Sequence, residues 1–184
     1  MTPEKDLIDK SREIISFKLT FDKRFKSNKA LNLLLEKSKK FPLTTHSPFI
    51  TNENFSRVSD KIKGGDCFRF ELIPLLKTAL PQMCLEFLEM FKASVFLVGA
   101  QGLAAIMQTD QEKLPLVKKI ISLDKKDCLG KTDDGRKIIP FIKREIKCHV
   151  QDDKYYSCQA SLFDVQNFGE PVGPDCYLLF AVRG

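Results

Sequence analysis

Six cysteines, at 67, 84, 128, 148, 158 and 176, and two histidines, His46 and His149, are the residues of this 184-residue chain with the widest chemical repertoire. Thiolates and imidazoles bind zinc, and a thiol beside an imidazole is a nucleophile. Cys148 and His149, with Cys128 and Cys158, offer enough soft ligands for one zinc ion. Their spacing contains no CxxC or CxxH pair, and neighbours on a strand point to opposite faces, so Cys148 and His149 do not easily share an ion. No metal and no cofactor is therefore expected. The opening residues, MTPEKDLIDK, lack the apolar stretch of a secretory leader. The thiols accordingly read as free, several of them acting as small buried hydrophobes. His46 lies in a Ser/Thr-rich loop, the more plausible place for an imidazole that works. Carboxylates such as Asp133-Asp134 and Asp152-Asp153 fall in charged runs that solvation explains. The sequence assigns no catalytic residue, and an enzyme of unrecognised class with a Cys/His site ranks behind the binding readings below.

Two stretches echo phosphate loops. Gly130-Lys131-Thr132 resembles the end of a Walker A sequence, but the upstream glycine would fall at position 125, which is Lys125. Gly99 and Gly102 follow VFLV, as in a strand-to-helix turn able to hold an anion. Close helix packing explains these two glycines better.

Charge is more informative. The net charge is +6, and residues 1–63 carry all of it, with 14 Lys or Arg against 8 Asp or Glu. Residues 64–184 hold 16 of each. Lys18, Lys23, Arg24, Lys26, Lys29, Lys37, Lys39 and Lys40 crowd the 18–40 segment against Asp22 and Glu36. Such a patch attracts phosphate backbones or an acidic protein surface, or simply keeps a face solvated. Phe21 and Phe25 stand among these bases, a mixture that suits single-stranded nucleic acid or the grooves of a partner. No helix-turn-helix, zinc-finger or RNP-like signature accompanies them.

The elements that must position these residues follow from periodicity. Leu7, Ile8, Ser11, Ile14 and Ile15 predict a helix over 4–17. Beyond it, Ile15, Phe17, Leu19 and Phe21 alternate as in a strand, while Ile14, Phe17, Phe21 and Phe25 form a helical seam. With no turn residue present, the helix is favoured to about Phe25. Asn28 then caps a second helix over 29–40. Residues 41–52 read as a loop whose Phe41, Leu43, Phe49 and Ile50 pack down on the body, and 53–62 as a short helix ended by Gly64-Gly65. A strand over 67–71 leads to a helix near Ile73, where Pro74 is tolerated. Pro81 opens another helix, with Met83, Cys84, Phe87, Leu88 and Phe91 on its apolar stripe. Residues 91–107 are apolar nearly all round, either strand Val95–Val98 plus helix 101–107 or one weakened helix. Leu114, Val117, Ile120 and Ile121 predict an amphipathic helix over 111–123. After residue 124 the texture changes. Asp134-Gly135 signals a hairpin, runs 136–150, 154–165 and 176–182 read as strands, and 166–175 as a Gly/Pro loop.

The expectation is a single α+β domain over 1–184. Its parts are a basic helical segment (1–63), an apolar helical core (64–123) and an antiparallel β region (124–184), with the helical two-thirds packed on the C-terminal sheet. Apolar residues make up 43% and charged residues 29%, fitting a packed globule, and no run of about 18 apolar residues spans a bilayer. The leading functional reading is a non-enzymatic protein–protein interaction module, a subunit or adaptor of a larger assembly inside the cell, cytoplasmic or nuclear. Its partner would be a protein, acidic where the basic segment docks, with Phe17, Phe21, Phe25, Phe41, Phe49 and Ile50 as apolar surface candidates. The alternative is nucleic-acid binding through the 18–40 segment.

Overall fold

Residues 176–182, CYLLFAV, are apolar at both parities, the pattern of a strand covered on both faces. In the computed structural model, which describes residues 7–20, 44–56, 63, 65–91, 94–109, 114–116, 118–151 and 154–183, they form the middle of a nine-stranded mixed sheet. This strand, β9 (Cys176–Arg183), pairs antiparallel along one edge with β3 (Cys67–Pro74). Its other edge is shared. β5 (Lys119–Ser122) runs parallel to the first half, and β4 (Val95–Phe96) runs antiparallel to the second. Outward from β3 lies β1 (Ile15–Thr20). Outward from β5 lie β7 (Lys137–Gln151), then β8 (Lys154–Asn167), then the short β2 (Thr44–His46), which is parallel to β8. β6 (Gly130–Lys131) pairs with the start of β7.

Strand parity sorts the interior into two cores, each with one helix. Phe68, Phe70, Leu72, Ile120, Ile142, Phe163, Leu179 and Ala181 face α2 (Gly99–Thr109), which buries Ala100, Leu103, Ala104, Ile106 and Met107 against them. Ile73, Ile121, Ile139, Phe141, Leu178 and Phe180 face the opposite way, toward α1 (Pro81–Met90) and its Cys84, Leu85 and Leu88. The N-terminal stretch lies along the end of β3. Ile8 bridges Leu75, the Leu76 N–H donates to the Leu7 carbonyl at 2.8 Å, and the Arg12 guanidinium donates to the carbonyls of Leu75 and Pro174.

The layout corrects the expected one. The first two-thirds is not helical, and the sheet is neither confined to the C-terminal third nor wholly antiparallel. Among the described residues there are two helices, of 10 and 11 residues, and strands run from residue 15 to 183. Residues 15–20 take the alternating pattern rather than the helical seam, because Phe17 stacks on Phe70 of the neighbouring strand at 5.7 Å. The 4–17 helix is absent from residues 7–14 as well, where Ile14 points to solvent. Residues 119–122 form an inner strand, not the end of an amphipathic helix. Ile120 and Ile121 are both buried because each enters a different core. Pro74 closes β3 instead of opening a helix, and its carbonyl accepts the Asp9 N–H at 2.9 Å. The helix over 29–40 and most of that over 53–62 lie outside the described residues. Residues 44–46 of the expected loop form β2, and Ile50 and Phe55 beyond it are buried, as a loop packed on the body requires.

Helix 81–90 forms with Pro81 at its first turn, and 95–109 takes the strand-plus-helix alternative. The hairpin forms at Asp134-Gly135, with Gly135 at φ 81°, a conformation that favours glycine. Gly102 answers a different need. A Cβ there would lie 2.2 Å from Cγ2 of Val98, so Val98, just before α2, can enter the core only if position 102 has no side chain. Gly102→Ala gains about 1 kcal/mol of helix propensity. Overpacking costs about 1–3 kcal/mol and should win. Urea unfolding is expected to show Gly102→Ala less stable than wild type. Adding Val98→Gly, which removes both Cγ2 and the Cβ that would stand 2.4 Å away, should cost less in the Gly102→Ala background than in wild type; full additivity would refute the contact.

Candidate functional site

Helix α1 has three faces rather than two. Pro81, Cys84, Leu85 and Leu88 are buried against the sheet. Gln82, Glu86 and Glu89 form a polar face, on which the Gln82 amide donates to Glu86. The third face is apolar and points to solvent: Leu80 just before the helix is 45% exposed, Met83 38%, Met90 48% and Phe91 49%. Half-buried Phe87 sits among them, its ring edge-on to Phe91 at 5.4 Å between centres. Residues 80, 83, 87 and 90–91 recur at helical spacing, so the side chains line one side of the rod. Their exposed area is on the order of several hundred Å², the size of a functional patch rather than of scattered surface residues. The expected stripe of Met83, Cys84, Phe87, Leu88 and Phe91 thus divides. Cys84 and Leu88 turn inward, and Met83 and Phe91 outward.

The expected apolar surface lies elsewhere or is not surface at all. Ile50 is buried in the α2-side core, Phe49 packs half-buried against it, and Phe17 does the same through Phe70. Phe21, Phe25 and Phe41 lie outside the described residues, as do Lys23, Arg24, Lys26, Lys29, Lys37, Lys39 and Lys40 of the basic patch. Lys18 is described. It is exposed on β1, directly across from Arg69 on β3, whose guanidinium pairs with Glu71. Two cations therefore stand on one rung of the sheet edge.

Cys148, His149 and Cys158 share the β7–β8 ladder, and the other thiol and imidazole candidates lie elsewhere. His46 is exposed on β2. In the β7–β8 ladder Cys148 stands opposite Ser157, His149 opposite Tyr156 and Cys158 opposite Lys147, so these three occupy different rungs. Cys128 lies in the turn between β5 and β6, beside the α2 N-terminus. Burial holds the described interior thiols in the protonated form. It pushes Cys84 up to about 12, with Cys176 adding to the effect. Burial, then Asp124 and Asp127, pushes Cys128 up to about 11. Burial and Asp175 raise Cys176. A thiol held protonated is a poor nucleophile and a poor metal ligand.

The glycines at 99 and 102 do mark a strand-to-helix turn, but the helix end already has its anion. Buried Asp124 places Oδ2 3.1 Å from where a Cβ on Gly99 would stand. A carboxylate is stabilised there by the positive end of the helix. The space beside it, lined by Phe55, Asp124, Cys128 and Pro140, is about 10 Å³, no more than a water occupies. Gly130-Lys131 is strand β6 and opens no helix.

At pH 8 a thiol with a pKa of about 11 is about one part in a thousand thiolate. Brief treatment of the folded protein with iodoacetamide, read by peptide mass mapping, is expected to label exposed Cys67 well ahead of Cys84, Cys128 and Cys176. Denaturant should abolish the difference. Labelling of Cys128 at the rate of Cys67 would show that its burial has been misjudged. Comparison with models of known families, with curated proteins and with solved structures finds no match, so the functional reading rests on this chain's own residues.

Proposed function

We propose that the protein is an interaction module, a subunit or adaptor, that docks a partner on the outer face of α1. The exposed stripe Leu80, Met83, Phe87, Met90 and Phe91 carries the reading. The helix itself holds Glu86 and Glu89 and no Lys or Arg, although the whole chain is at +6. An apolar stripe flanked by carboxylates fits an amphipathic helix whose own flanks are basic. A second copy fits poorly. Packing α1 on its twin would set Glu86 and Glu89 against themselves.

A photo-crosslinking residue introduced at Met83, with one at Glu89 as control on the polar face, tests this in cells. The expected adduct forms from Met83, maps to an apolar segment flanked by Lys or Arg, and falls roughly tenfold in Phe91→Ser, as loss of a central aromatic anchor would cause. Phe91 is half exposed, so that variant should fold; circular dichroism checks it. Equal adducts from Met83 and Glu89, adducts only with a second copy of this chain, or a partner segment flanked by Asp and Glu would each overturn the proposal.

A further inference from the structure

A thioether has no proton to lose, so its reactivity toward an oxidant follows from exposure alone. Of the four methionines in the chain, Met83, Met90 and Met107 lie in the described residues. Met107 is 4% exposed on the core side of α2. Met83 and Met90 belong to the open stripe of α1, at 38% and 48%. Seven residues make two helical turns, so both thioethers stand on the same side of the rod. Phe87 lies between them, one turn from each, with Phe91 edge-on to its ring. Every methionine that solvent reaches among the described residues is therefore on this one patch. Two of the five side chains of the stripe, Leu80, Met83, Phe87, Met90 and Phe91, carry sulfur. Cys84 on the same helix does not compete, because it is buried against the sheet and held as the thiol.

We infer that Met83 and Met90 are a paired oxidation site, through which a hydroperoxide switches the α1 stripe from apolar to polar. Each sulfur attacks one oxygen of the peroxide. An S–O bond forms and the O–O bond breaks. The transferred oxygen passes its proton to the leaving hydroxide, which departs as water. The thioether loses two electrons and the peroxide gains them. The sulfoxide that results is polar, and it disrupts surfaces that methionine had made apolar. Two sulfoxides, one turn to either side of Phe87, divide what was a continuous apolar strip. Unoxidised methionine is flexible and polarisable, well suited to moulding such a strip onto a partner. The core stays out of the reaction because Met107 is enclosed. The regulatory consequence rests on the docking reading above: oxidation of the free chain prevents the partner from seating, and enzymatic reduction of the sulfoxides restores it.

The full chain treated with hydrogen peroxide at neutral pH, read by peptide mass mapping and by retention on a hydrophobic-interaction column, tests the switch. Sulfoxide is expected at Met83 and Met90 roughly tenfold faster than at Met107. Elution should move earlier as those two react, and methionine sulfoxide reductases should reverse the shift. Met83→Leu combined with Met90→Leu keeps the stripe apolar without sulfur. Its retention should not respond to peroxide, which separates the switch from oxidation of the exposed Cys67. Met107 oxidised as fast as Met83 and Met90, unchanged retention of the oxidised chain, or an equal shift in the double variant would each overturn the inference. A photo-crosslinking residue at Leu80 then reads docking in cell extract. Its adduct should fall roughly tenfold after peroxide in wild type and persist in the double variant. No adduct before peroxide overturns the docking reading and leaves the column to decide the switch. An adduct that survives full oxidation of both methionines overturns the switch and leaves docking intact.

Discussion

A strand that is apolar on both of its faces is stable only with neighbours on both edges and a layer above and below. β9 imposes that requirement here. Tyr177, Leu179 and Ala181 serve one core, and Cys176, Leu178 and Phe180 the other. Two helices must therefore cover opposite sides, and strands must be recruited from far apart in the chain to fill both edges. The N-terminal stretch is held by the same arrangement, since Arg12 reaches both the end of β3 and the loop that enters β9.

What remains at the surface follows from how little of each helix that arrangement uses. α2 is apolar on most of its circumference and is enclosed, its N-terminus closed by Asp124. α1 spends Cys84, Leu85 and Leu88 on the sheet and keeps a second apolar side for which the fold has no place. On the other flank, β7 and β8 run on past β5, and Arg136 just before β7 pairs with Asp134.

Where local residue types mark a segment, its pattern was readable. The β6–β7 hairpin, the long β7–β8 pair, β9 and helix 81–90 all follow from turn residues, β-branched runs or a proline at a first turn. Where a short strand's apolar residues also match helical spacing, periodicity misleads. Ile120 and Ile121 each enter a different core, and with Leu114 and Val117 they also match helical spacing. Pro74 reads as a helix start, yet a strand's last residue needs no ladder N–H. The sites were less legible still. Met83 and Cys84 are both apolar, and only the packed sheet decides which of them is spent.

The position of β9 in the order of synthesis has a further consequence. The central strand follows every other described element in the chain. Until residues 176–183 have emerged from the ribosome, β3 and β5 each present a bare edge, and the cores on both faces lack their middle. The nascent protein is then two incomplete half-sheets whose exposed edges invite pairing with other chains. Its exposure to chaperones and to misassembly during translation is set by a strand of eight residues that follows both halves and joins them.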